Sequence, residues 1–94
     1  MEKQGFELIF VRDAQIGARL LGSLDVRLVP ERVSHKCVNL KDSIDEWEMF
    51  GAKVEVNYTA TEEPRAVSVY IAGYENDRNA ARNYLEAMAG GALN

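Results

Sequence analysis

Ninety-four residues leave no room for a second catalytic domain, and the chain reads as one domain over residues 1–94. At 47% hydrophobic and 28% charged, the composition is neither collagen-like nor disordered. Eleven basic residues against fifteen acidic ones give a formal charge of −4, which argues against a strongly basic nucleic-acid binder.

The first strand is expected over Phe6 to Arg12. Phe6, Leu8 and Phe10 share one face, and Ile9 and Val11 share the other. Apolar residues on both faces predict a central strand covered on both sides. Asp13 is placed to cap a helix in which Ala14, Gly17, Ala18 and Leu21 recur at helical spacing, with Gly22 as its stop. Leu24, Val26 and Leu28 alternate with Asp25 and Arg27, which predicts a half-buried strand ended by Pro30. Val33 to Leu40 reads as a further strand.

Ser43-x-x-Glu46 spells a capping box, so Ile44 and Trp47 are expected on one face of a short helix that Gly51 stops. Val54, Val56 and Tyr58 alternate with Lys53, Glu55, Asn57 and Thr59, and Val67, Val69 and Ile71 repeat the pattern. The intervening Thr61-Glu62-Glu63-Pro64 makes the two a hairpin. Asn76 is the expected cap of a final helix with Ala81, Tyr84, Leu85 and Met88 as its apolar stripe and Gly90-Gly91 as its end. This order predicts an α+β, two-layer sandwich: four to five strands in a mainly antiparallel or mixed sheet, with two to three helices. A ferredoxin-like variant is one such arrangement, although Ala92-Leu93-Asn94 is too short to add its last strand.

Cys37 is the only cysteine, which excludes an intramolecular disulfide scaffold. The polar start Met1-Glu2-Lys3-Gln4-Gly5 lacks the apolar stretch of a signal peptide. No apolar run approaches the roughly 20 residues of a membrane helix. The expected location is therefore cytoplasmic, without membrane contact.

His35 and Cys37 stand at i and i+2, on one face if their segment is a strand. A Cys–His pair generates a thiolate nucleophile. Their Cα atoms would lie about 6.5–7 Å apart, and a buried cysteine beside a half-exposed histidine accounts for the same residues. No C-x-x-C, H-E-x-x-H or calcium-loop spacing occurs, so no metal or other cofactor is expected. Gly17 to Gly22 has a GxxxxG spacing, but Ser23 takes the lysine position of a phosphate loop. Before the last helix, Glu75 and Asp77 complement the helix dipole and would repel phosphate.

Arg27, Arg32, His35, Lys36 and Lys41 form a mildly basic stretch, interrupted by Asp25, Glu31 and Asp42. Of the sheet-face aromatics that would stack on RNA, only Tyr70 qualifies, so nucleic acid is not the expected partner. Carboxylates thicken after residue 47, as a solvated face or as a surface for a basic partner. If all helices pack on one side of the sheet, Ile9, Val11 and Tyr70 would form an exposed apolar patch of the kind found at interfaces.

The first expectation is thus a non-enzymatic interaction or regulatory module, acting as a homodimer or as a small subunit or inhibitor of a larger assembly. The alternatives are a small-molecule-sensing domain and a small enzyme using Cys37 and His35.

Overall fold

The computed structural model describes residues 3–26, 32–37, 41–59 and 66–94. Seven elements follow in order: β1 (Gln4–Val11), α1 (Ala14–Val26), β2 (Arg32–Cys37), β3 (Asp42–Met49), β4 (Ala52–Thr59), β5 (Val67–Tyr74) and α2 (Glu75–Ala89). The strands form one five-stranded sheet in the order β1-β5-β4-β3-β2. Every neighbouring pair is antiparallel. This is the expected α+β arrangement. β2 to β5 form a meander, and β1 adds to its β5 edge. The connection from β1 to β2 joins the two outer strands, so the sheet lacks the interleaved order of a ferredoxin-like core.

Both helices lie on one face of the sheet. α1 packs on β1 and α2, and α2 packs on β5, β4 and β1. Gly17, Leu20, Leu21 and Leu24 form the buried stripe of α1, the i, i+3, i+4, i+7 spacing of one helix face. Gly17 lets α1 approach the sheet: a Cβ there would stand 3.3 Å from Val67 and 3.7 Å from Val11. Asp13 caps α1 as expected, its Oδ1 accepting the Gln15 and Ile16 amides at 2.8 and 3.2 Å. α2 buries Ala81, Leu85, Met88 and Ala89 and ends at Gly90, whose φ of 79° is the left-handed conformation glycine favours.

Five expectations need correction. Gly22 does not end α1, which runs on to Val26; Leu24 continues the buried stripe, and this burial offsets the roughly 1 kcal/mol a helical glycine costs. Leu24 and Val26 are therefore helical, while Leu28 and Pro30 lie outside the described residues. Ser43 to Glu46 does not cap a helix. It belongs to β3, where Ser43, Asp45, Trp47 and Met49 are buried and Asp42, Ile44, Glu46 and Glu48 are not. α2 starts at Glu75 rather than after Asn76, with Tyr74 as a cap that makes no side-chain hydrogen bond; Glu75 and Asp77 supply the favourable charge of its first turn.

The fifth correction matters most for function. β1 is an edge strand covered on one face only. Elsewhere, the strand expected from Val33 is present as β2 up to Cys37, and the β4–β5 pairing holds, with Thr61 to Pro64 outside the described residues.

Candidate interaction face

The pairing register shows how each face changes across the sheet. On the helix side, one row runs Ile9–Val69–Val56–Asp45, and the next runs Glu7–Ile71–Val54–Trp47. Ile9, Val69, Val56, Ile71, Val54 and Trp47 are buried core residues. Glu7 sits in this layer because α2 brings two guanidinium groups to it. Arg78 reaches Glu7 at 3.5 Å and Arg82 reaches it at 3.3 Å. Arg78 Nε also donates to the Gly73 carbonyl at 3.0 Å. These contacts tie α2 to the edge strand through an ion-paired carboxylate, as burial of a charge requires.

Among the described residues, no helix lies on the opposite face. Its rows run Phe6–Ala72–Lys53–Glu48, Leu8–Tyr70–Glu55–Glu46 and Phe10–Ser68–Asn57–Ile44. Each begins with a large apolar side chain on β1. Phe6 is 66% exposed, Leu8 53% and Phe10 64%. The Phe6 and Tyr70 rings stack with centroids 5.6 Å apart, within the range of a favourable aromatic pair. At one end of this face, Phe10, Ile44, Asn57, Thr59 and Ser68 border an open hollow of about 410 Å³. Towards β4 and β3 the face becomes charged. Lys53 bridges Glu55 at 3.3 Å and Glu46 at 3.4 Å. The Glu55 hydrogen bond and then that of Glu46 hold the Lys53 ammonium above its ordinary value of 10.5.

An apolar sheet face is thus uncovered, but it is the face of Phe6, Leu8 and Phe10. Ile9 is 3% exposed beneath the helices, and Val11 is half-buried against the core. Of the three residues expected there, only Tyr70 lies on the open face, directly across from Leu8. Hydrophobicity alone pointed the other way, since two phenylalanines and a leucine make a stronger apolar face than Ile9, Val11 and a carboxylate. The available signal was in α2: Arg78 and Arg82, four residues apart, mark a helix face suited to an acidic strand position.

His35 and Cys37 lie in β2, opposite Asp45 and Ser43 in the register. Their side chains lie outside the described residues. Asp45 and Ser43 are buried on the helix side, and the Tyr58 hydroxyl donates to Asp45 at 3.2 Å. Sequence reasoning misses this polar end of the helix-side layer, because the Ser43-x-x-Glu46 spelling reads as a helix start. Among the described residues, no group of three or more His, Cys, Asp or Glu side chains is placed to hold a metal ion, and no helix is long and apolar enough to cross a membrane.

Compared with known proteins, the chain matches no protein-family model and no curated protein in sequence.

Proposed function

We propose that this chain is a protein-interaction module that binds another protein, or a second copy of itself, through the open face of its sheet. One observation carries the reading: Phe6, Leu8 and Phe10 are each more than half exposed, side by side along β1 on the face opposite both described helices. Large apolar side chains gathered this way mark contact surfaces, whereas single exposed ones do not. The Phe6–Tyr70 stack supports the reading, since a pre-ordered aromatic pair loses little side-chain freedom on docking. Such a surface on a small domain supports a regulatory or subunit role.

The test compares the wild-type chain with Phe6→Ser/Phe10→Ser as bait in extracts of the native source, alongside light scattering of each. The wild type is expected to retain a specific protein, or itself, and the variant to lose it while its circular dichroism is unchanged. Retention of the same protein by both would refute the reading. So would a wild type that captures nothing and stays monomeric.

A further inference from the structure

Resting on that reading, we propose that the occupant of the open face is a second copy of this chain, packed sheet on sheet about a twofold axis parallel to the strands and lying between β1 and β5. This axis lays β1 of each copy over β5 of the other. The register then decides what meets what. Phe6 pairs with Ala72 within the sheet, Leu8 with Tyr70, and Phe10 with Ser68. Rotation about the axis therefore sets each phenylalanine of one copy over a small residue of the other, Phe6 over Ala72 and Phe10 over Ser68, and sets Leu8 over Tyr70. Large over small is the arrangement that lets two facing sheets interdigitate at about 10 Å separation.

Charge selects this axis. The six residues named, and the Gln4–Tyr74 pair at the end of the same overlap, are all uncharged, although the chain carries −4. β4 and β3 of each copy project past the β1 edge of the other, so Lys53, Glu55 and Glu46 remain in water. A twofold across the strands, along the central Leu8–Tyr70–Glu55–Glu46 row, would instead superpose the charged strands and set Glu55 over its own counterpart, a like-charge contact.

Area sets the strength. With roughly 150–250 Å² per large side chain and the exposures above, the β1 row offers about 350 Å². With the half-buried β5 row, the buried total for two copies is about 900 Å² at most, below the roughly 1,000–1,200 Å² of a stable specific interface and in the range of weak, transient ones. A weak, reversible dimer is expected, far weaker than an obligate one.

Sedimentation velocity of the full chain between about 1 and 300 μM tests this. The wild type should pass reversibly from monomer to dimer. Phe6→Ser/Phe10→Ser should stay monomeric. Ala72→Phe and Ser68→Phe fill the two recesses, and each should weaken the dimer by about tenfold or more even though the surface becomes more apolar. Glu55→Gln should leave it unchanged. Circular dichroism checks that each variant is folded. A wild type that stays monomeric overturns the second copy as occupant; if the phenylalanine variant still loses a captured protein, the module reading survives. A dimer that Ala72→Phe and Ser68→Phe both leave intact or tighten overturns the packing. A dimer that persists in Phe6→Ser/Phe10→Ser overturns both readings.

Discussion

Leu8 and Ile9 are neighbours in β1, yet replacing each by Ala should have very different costs. Ile9 is 3% exposed, within the core cluster beneath the helices. Removing a buried isoleucine down to alanine costs about 2–5 kcal/mol, partly through the cavity left behind; about 3 kcal/mol is expected here. For a domain of this length each kcal/mol lowers Tm by about 4–8 °C, so Ile9→Ala should melt about 12–24 °C lower. Leu8 is 53% exposed, so only about half of its 1.5–3 kcal/mol burial contribution is present, and its loss should cost about 1 kcal/mol. Thermal unfolding at about 1 μM, below the expected dimer range, measures the pair without coupling to association. Equal melting temperatures, or a greater loss for Leu8→Ala, would mean that the sheet is covered on the other face and would remove the basis of the proposed interface.

Three further outcomes follow from contacts elsewhere in the fold. Glu7→Gln and Arg78→Met should each destabilise by about 1–2 kcal/mol, with a coupling of about 1 kcal/mol in the double-mutant cycle because the pair is only partly buried; purely additive denaturation midpoints would show that the clamp contributes nothing. Gly51→Ala should cost about 1–3 kcal/mol, since φ is +82° and the new Cβ would stand 2.7 Å from Asp77 Oδ2; a variant as stable as wild type would contradict that geometry, and Asp77→Ala should recover part of the loss. The raised pKa of Lys53 makes its pairing fully stabilising below 10.5 and fading as pH rises through the higher folded value; the stability difference between wild type and Lys53→Met should therefore stay constant up to about pH 10 and shrink only as pH rises beyond 10.5, and a difference that persists undiminished at higher pH would contradict the pairing.

The parts of the fold legible in the sequence are those where one physical signal acts alone. Val54, Val56, Val67, Val69 and Ile71 alternate with polar residues, and β4 and β5 follow. Asp13 and Gly90 terminate helices through backbone requirements that need no tertiary partner. The illegible parts are those where a local signal competes with packing. In β3, Ser43 and Asp45 occupy inward positions, so the period-two pattern is polar at half its buried sites and the capping-box spelling looks stronger than the strand. In α1, Gly22 looks like a stop, but Leu24 still has a place beneath the helix layer. In β1 both faces are apolar, and the choice rests on Arg78 and Arg82, some seventy residues away. Only the sheet register joins Glu7 to them, and with that choice goes the identity of the open face.

The same clamp bears on how β1 can associate at all. An edge strand with Phe6, Leu8, Ile9 and Phe10, and without proline, is a template for edge-to-edge pairing unless something blunts it. Two features do so. Glu7 is a carboxylate turned towards the helix layer and held by two arginines of α2, so a strand added along this edge would have to accommodate a charged cluster in its own inner layer. Arg82 also donates to the Asn94 side chain at 3.4 Å, and Asn94 lines a recess with Leu8, Phe10 and Arg12 on the outer side of β1. Leu93, 1% exposed, anchors that segment, its amide bonded to Glu86 Oε2 at 3.0 Å. The edge is thereby encumbered while the flat of the strand is not. Association through the Phe6, Leu8 and Phe10 face buries apolar surface and leaves the Glu7 clamp in place, whereas a strand added along the β1 edge would meet that charged cluster. That difference favours a closed, two-copy contact over open-ended growth of the sheet.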